Sequence, residues 1–327
     1  MYSVKELQEI IENEIVKRSD KMTANPYQNL YSPVTYALGM GGKRLRPVLL
    51  LLGYNLFEKD VLPALPAAIA IEIFHNFTLL HDDIMDNASL RRNKPTVHKK
   101  FSENSAILSG DVMSFIAYRY LLESPRDKLR KVIQSFTQTA VEVCEGQQLD
   151  MDFEQRLDVS ETEYLKMIKL KTAVLLACSL NVGALLANAP KTITEKLYQF
   201  GLNLGMAFQL QDDMLDTYGD QKSFGKKIGG DIVANKKTYL LVKTLELADT
   251  GTKKELLQWI QAVDFQSEEK ILSVTKLYNR VNVKTVAEEK IFFYYQKGVE
   301  IIEQLPIGYS EKQALHSLSN NLLKRIR

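Results

Sequence analysis

Apolar residues recur along the chain at helical spacing. In the first segment Leu7, Ile10, Ile11 and Ile15 fall on one face, the three- and four-residue rhythm with which a helix buries a stripe against a core. The same rhythm runs through Ala64 to Asp86, Ala106 to Leu122, Leu129 to Asp152, Glu161 to Ala187 and Ile193 to Asp216. Start signals accompany it. Ser160 with Glu163 and Thr192 with Glu195 have capping-box spacing, and Ser124-Pro125 reads as an N-cap followed by proline at the first helical position. No alternating polar and apolar run is joined by an Asn-Gly or Asp-Gly turn, so a sheet is disfavoured. The irregular stretches are short: 39–47, 89–100 and 219–236, with Gly and Lys in the first and last and basic residues in the middle one. No Pro/Gly/Ser-rich linker separates them. The pattern predicts one all-α domain over residues 1–327, built of long antiparallel helices. Polar loops on so apolar a scaffold are where function is expected.

Composition narrows the class. With 45% apolar and 25% charged residues the chain can bury a sizeable core. Its formal net charge of +2 lacks the basic excess of a nucleic-acid binder. Cys144 and Cys178 are too few for a disulfide scaffold or a Cys-rich zinc site, and they suit a reducing compartment. The opening MYSVKELQEIIENEIVKRSD is amphipathic and mixed in charge, unlike a secretory signal. The longest apolar stretch, Ala173 to Ala189, is short for a bilayer span and is interrupted by Ser179 and two asparagines. It reads as a core helix. The expectation is a cytoplasmic protein with no nucleic-acid partner and no membrane span.

Two acidic clusters carry the chemistry. Asp82-Asp83-Ile84-Met85-Asp86 recurs in type as Asp212-Asp213-Met214-Leu215-Asp216, each after an apolar helical run. Asp82 and Asp86 are four apart, so their carboxylates share one helix face, as do those of Asp212 and Asp216. Like charges at that spacing repel unless a cation lies between them. Oxygen donors without Cys or paired His suit a hard cation, Mg²⁺ above all, which commonly bridges carboxylates to substrate phosphates. Cations for phosphate stand nearby in sequence: Lys43, Arg44 and Arg46 on a Gly41-Gly42 turn, Arg91-Arg92 just after the first cluster, Lys171-Thr172 in an apolar helix, and Lys226, Lys227, Lys236 and Lys237 after the second. A lysine on an apolar helix such as Lys171 needs an anionic partner.

The segments GGKRLRP, HDDIMDNASLRRNKPTVH, GDVMSFIAY, EGQQLD, KTA, FQLQDDMLD, GKKIGGD and NKKTY resemble those of the trans-isoprenyl (polyprenyl) diphosphate synthases, over roughly residues 35–240. The resemblance implies an all-helical bundle around a deep central cavity, built as a homodimer. It implies that isopentenyl diphosphate is joined head to tail to an allylic diphosphate (dimethylallyl, geranyl or farnesyl), with loss of pyrophosphate. By position, Lys43, Arg46, His75 and Arg92 would hold isopentenyl diphosphate. Asp82, Asp86 and Asp212 would ligate three Mg²⁺ ions on the allylic diphosphate, with Asp83, Asp213 and Asp216 as supporting or water-mediated partners. Arg91, Lys171, Lys226 and Lys236 would neutralise the leaving group, Lys227 being the alternative to Lys226. Thr172 and Gln209 would line the reacting end and support the carbocation. Asn93 stands where many members have Gly, which calls for a tight or left-handed turn.

Product length would depend on residues upstream of Asp82. In the family a bulky aromatic five before the motif, here Phe77, blocks growth, with Phe74 a further turn down. Thr78 is small where many farnesyl synthases have an aromatic. The expectation is geranylgeranyl diphosphate (C20), with farnesyl diphosphate (C15) as the alternative. Two other readings are a terpene cyclase, opposed by the second Asp motif and GGKRLRP, and a non-catalytic partner subunit, opposed by the presence of both motifs. A helical His-Asp phosphohydrolase, suggested by His81-Asp82, lacks upstream histidines other than His75. His98 reads as structural. The tail Lys324-Arg325-Ile326-Arg327 either frays or folds over isopentenyl diphosphate, and residues from Lys253 onward are helical by pattern without a chemical signal.

Overall fold

The computed structural model describes residues 1–219 and 228–323. Among these, every regular element is helical except one pair of two-residue strands, Leu90–Arg91 and Lys94–Pro95. The chain forms two compact units. One comprises Met1–Gln138, Cys178–Tyr198 and Pro306–Ala314, and the other Thr139–Ala177, Gln199–Leu305 and Leu315–Arg327.

The first unit begins with α1 (Val4–Thr23), started by a Ser3–Glu6 capping box, and buries Leu7, Ile11 and Ile15 as their spacing predicts. Next come α2 (Gln28–Leu38), α3 (Leu45–Asn55), α4 (Leu65–Met85), the single turn α5 (Val97–Lys100) and α6 (Glu103–Leu121). α4 packs on both α3 and α6, and α1 on α2 and α3. From Leu65 to Phe74 every residue of α4 except Pro66 is buried. Apolar all round, α4 is a core helix that delivers its C-terminal carboxylates to the surface of the unit.

Two helix starts differ from the expected ones. At α7 (Arg126–Glu154) the carbonyl of Pro125 accepts the first bonds, from the N–H groups of Lys128 and Leu129 at 2.9 Å. The Ser124 hydroxyl is buried and has no hydrogen-bond partner among the described residues. At α10 (Lys191–Tyr218) the Pro190 carbonyl plays the same part for Ile193 and Thr194, so Thr192 and Glu195 lie inside the first turn. Proline has no N–H to lose and a φ already fixed near the helical value, so the turn begins there rather than at the hydroxyl. The Ser160–Glu163 box is present as read.

In the second unit α8 (Glu161–Ile168) runs through a π turn, Lys169–Ala173, into α9 (Val174–Leu186), whose residues from Cys178 onward belong to the first unit. After α10 come α11 (Gly230–Val233), α12 (Tyr239–Leu247), α13 (Thr250–Gln261), α14 (Ser267–Arg280), α15 (Val283–Glu303) and α16 (Tyr309–Leu323), the last beginning in the first unit. Phe153, Tyr164, Leu210, Tyr239, Leu256 and Tyr278 anchor this unit's core. By length and composition, Leu62–Met85 and Glu161–Leu186 could each cross a membrane, yet 61% and 72% of their apolar windows are buried inside the fold, as in core helices.

Candidate active site

In the first unit Asp82 and Asp83 lie in the last turn of α4, and Asp86 follows it. The helix stops in a Schellman arrangement. Asn87 takes a left-handed φ of 48°, its N–H reaches the Ile84 carbonyl at 3.0 Å, and the N–H of Ala88 reaches the Asp83 carbonyl at 2.9 Å. The chain then returns as a minimal hairpin pairing Leu90 with Pro95 and Arg91 with Lys94. At its tip Arg92 and Asn93 have φ of 53° and 59°, the two left-handed residues that a type I′ turn requires. Asn93 is thus left-handed as expected, and Arg92 shares that conformation. The hairpin carries Arg91 back onto the cluster. Its guanidinium grips both oxygens of the buried Asp83 at 2.8–2.9 Å and lies 3.6 Å from Asp82. Asp82 is half-buried and Asp86 exposed.

The glycine turn before α3 separates its cations by role. Arg44, only 4% exposed and left-handed at φ 47°, bonds Glu12 at 2.8 Å, Glu72 at 2.7 Å and the Leu38 carbonyl at 2.8 Å. It is a structural charge, with both its carboxylate partners supplied by other helices. Lys43 is exposed, and its carbonyl accepts from Gln8 at 2.9 Å. Arg46 donates to His75 Nε2 at 3.0 Å. Burial, then the positive charges of Arg46, Arg92 and Arg91, hold His75 well below the ordinary histidine pKa, so its ring is neutral and can accept that bond. The Arg92 guanidinium lies so close over Gly42 that a Cβ there would stand 2.6–2.7 Å from it. Of the residues expected around isopentenyl diphosphate, Arg46, His75 and Arg92 are therefore gathered beside the Gly41-Gly42-Lys43 turn.

One turn below the carboxylates, Phe77 is half-buried, with its ring 5.4 Å from that of Phe74 and 4.8 Å from that of His81. Phe74 is 3% exposed and meets Phe136 edge-on at 5.0 Å. The Thr78 hydroxyl is turned to the His75 carbonyl at 2.8 Å. Gly110, in the GDVMSFIAY segment, admits the His81 ring: a Cβ there would stand 2.6 Å from Cδ2.

In the second unit Asp212, Asp213 and Asp216 lie near the end of α10. Asp213 is buried and accepts from the Tyr164 hydroxyl, from the Tyr239 N–H at 2.9 Å and from Gln209 Nε2 at 3.0 Å. Burial, followed by the charge of Asp231, pushes its pKa up to about 7 against those three donors. Because Asp213 takes the Gln209 amide nitrogen, the amide orientation is set, and Gln209 Oε1 accepts from Thr172 at 3.0 Å. Thr172 and Gln209 are thereby brought together as an oriented donor–acceptor pair. Lys171, beside Thr172 in the π turn, has the anionic partner its setting demands: Asp150 Oδ2 at 2.5 Å. A π turn inserts one extra residue and re-aims side chains, and such turns gather at functional sites. Asp216 is buried and ties down the next segment, accepting from the N–H of Asp231 at 3.0 Å through its side chain and from Gly229 at 2.6 Å through its carbonyl. Lys236 is half-buried, and its N–H donates to the Asp231 carbonyl at 3.0 Å. Lys226, Lys227 and the tail 324–327 lie outside the described residues.

Asp150, Tyr164 and Tyr239 were not singled out from the sequence. Asp150 closes the EGQQLD segment and Tyr239 the NKKTY segment, usable signals; Tyr164 carried none. Among the described residues no three or more His, Cys, Asp or Glu side chains form a ready-made metal cage. The donor set instead fits a hydrated Mg²⁺, which takes one or two carboxylates plus phosphate oxygens. Asp83 and Asp213 support their helices, while Asp82, Asp86 and Asp212 are less buried. Both clusters sit at helix C-termini, where the helix dipole disfavours carboxylates and favours a cation.

A polyprenyl synthetase family model matches residues 27–278. The chain is 37% identical over 324 residues, covering 96% of both proteins, to a geranylgeranyl diphosphate synthase of Saccharolobus solfataricus. It is 42% identical over 241 residues, 73% of both, to a short chain isoprenyl diphosphate synthase of Methanocaldococcus jannaschii. A crystal structure of a geranylgeranyl pyrophosphate synthase superposes with a TM-score of 0.93 at 44% identity, covering 99% of both chains. The chain belongs to the polyprenyl synthetase family, and it is a prenyltransferase.

Proposed function

We propose that this chain is a geranylgeranyl diphosphate synthase, extending dimethylallyl, geranyl or farnesyl diphosphate with isopentenyl diphosphate to C20. The observation that carries the product length is Phe77, half-buried one turn below Asp82 against Phe74 and His81, with the small Thr78 beside it. The two geranylgeranyl synthases named above support the same length.

In this reading Lys43, Arg46, His75 and Arg92 bind the isopentenyl diphosphate. Asp82, Asp86 and Asp212 would hold Mg²⁺, three ions in all, whose charge would stabilise departing pyrophosphate. Arg91, Lys171, Lys226 and Lys236 would add positive charge against the leaving group, the kind of electrostatic stabilisation that acts where charge develops. The Asp83 and Asp150 carboxylates hold Arg91 and Lys171 in place. The allylic C–O bond breaks, the isopentenyl alkene forms the new C–C bond, and a proton leaves to the pyrophosphate. Thr172 and Gln209, held as an oxygen-bearing pair, face the developing carbocation. Exclusion of water by the apolar core helices keeps that cation from hydrolysis.

The chain works as a homodimer of single-domain, cytoplasmic subunits. Leu108, Phe115 and Leu122, on α6 and at its end, repeat at seven-residue spacing and are 59%, 72% and 60% exposed, a stripe suited to a second copy. The test is incubation with Mg²⁺, isopentenyl diphosphate and each allylic diphosphate in turn, followed by identification of the prenyl alcohols after dephosphorylation. C20 from all three is expected, and chelation of Mg²⁺ abolishes turnover. Products stopping at C15 would make it a farnesyl diphosphate synthase; hydrocarbon without consumption of isopentenyl diphosphate would make it a cyclase.

A further inference from the structure

Lys270 has no place in the chemistry above, yet it is the most deeply buried lysine among the described residues, at 0% exposure on α14. A buried ammonium is costly unless it is paired. No carboxylate among the described residues pairs with it. Its Nζ donates to Asn235 Oδ1 at 2.8 Å and to the Val233 carbonyl at 3.4 Å, and lies 4.1 Å from the centroid of the Phe265 ring. Burial accordingly lowers its pKa. These contacts converge on the turn that closes α11. Asn235 is left-handed, with φ 55°, and its Nδ2 donates to the Ile260 carbonyl at 3.0 Å.

The residue after Lys270 holds the other end of α11. A Cβ on Gly229, itself at φ 79°, would stand 2.6 Å from Ile271 Cγ1. Asp216 of the second acidic cluster bonds the N–H groups of Gly229 and Asp231. Segment 229–236 is thus held by the end of α10 on one side and by neighbouring residues of α14 on the other. Lys236 directly follows the residue that Lys270 grips.

We infer that Lys270 is a positioning residue that fixes the left-handed Asn235 turn and thereby places Lys236 for the allylic diphosphate. The inference rests on the role given to Lys236 above. A charge buried beside two neutral oxygens and a ring adds little net stability, whereas its geometry specifies one conformation of the turn. Lys270→Met keeps the volume and removes the charge. Its expected effects are a rise of about tenfold in KM for the allylic diphosphate, an unchanged KM for isopentenyl diphosphate, and an unfolding midpoint no lower than that of the unaltered protein. Asn235→Gly, which tolerates the left-handed turn but removes the side-chain acceptor of Lys270 and leaves it only the longer bond to the Val233 carbonyl, should reproduce the allylic defect, and it serves if the methionine variant fails to fold.

In a Lys236→Ala background Lys270→Met should add less than about twofold, because both act through one group. If Lys236→Ala raises the allylic KM while Lys270→Met and Asn235→Gly do not, the inference falls and the role of Lys236 stands. If Lys236→Ala leaves the allylic KM unchanged, both fall. Additive effects in the double variant also overturn the inference, since Lys270 would then act by another route.

Discussion

Replacing Gly146 by alanine tests whether the π turn is the device that presents Lys171 and Thr172. Gly146 lies in α7 against that turn. A Cβ there would stand 2.7 Å from the Leu170 carbonyl carbon and from Lys171 Cα, and closer still to Lys171 N. Ordinary contact between carbons is about 3.5 Å, so the overlap approaches ~1 Å. All three atoms are backbone, and no rotamer relieves them. Overpacking of this kind costs about 1–3 kcal/mol, and a rigid neighbour places the cost near ~3 kcal/mol. With an unfolding entropy of about 2.1 cal/mol/K per residue, the whole chain gives ~0.7 kcal/mol/K, so Tm falls by about 4 °C. The effect on rate is larger. A shift of roughly 1 Å in groups that orient the reacting ends costs on the order of 100-fold in kcat/KM. Incorporation of labelled isopentenyl diphosphate, with Tm from scanning calorimetry, measures both. Gly298→Ala is the control: there a Cβ would meet the Phe200 ring at 3.5 Å, ordinary contact in a helix interior, and the substitution should stabilise by up to ~1 kcal/mol with full activity. A Gly146→Ala protein with unaltered kcat/KM and Tm would refute the reasoning.

Phe77→Ala should lengthen the product beyond C20, read by chromatography of the prenyl alcohols; an unchanged distribution removes Phe77 as the floor. Phe74→Ala should chiefly destabilise, by about 3–5 kcal/mol, because Phe74 is core against Phe136, and a normal Tm would contradict this. Phe115→Glu should shift the chain from dimer to monomer in light scattering without loss of monomer stability, and a persistent dimer would exclude the α6 stripe. His75 resists protonation in the fold, so below about pH 6.5 the unfolded chain binds a proton that the native one does not. Stability should therefore fall as pH falls below that value, by up to ~1.4 kcal/mol per pH unit for this group. The slope should shrink in His75→Gln, and an identical slope in that variant would show another group to be responsible.

Sequence by itself determined the helical class, because periodic burial is a local property: Leu7, Ile11 and Ile15 are buried where their spacing puts them. It also singled out the candidate carboxylates and cations, since Asp82 with Asp86, Arg91 with Arg92 and Lys171 with Thr172 declare themselves within a few residues. Helix starts were less legible, because Pro125 and Pro190 competed with nearby hydroxyls for the cap and won. What only the tertiary structure decided is which of these charges are tied into the fold and by which partners. Arg44 and Arg46 are two apart in one basic turn, yet Arg44 is bound by Glu12 and Glu72 while Arg46 meets His75. Asp82 and Asp83 are adjacent, yet Arg91 engages Asp83 with both oxygens. Asp150 with Lys171, Tyr164 with Asp213 and Lys270 with Asn235 are joined across 21, 49 and 35 residues of sequence. A carboxylate or ammonium is spent on whichever partner packing brings within about 3 Å, and that partner is chosen by helix packing rather than by neighbours along the chain.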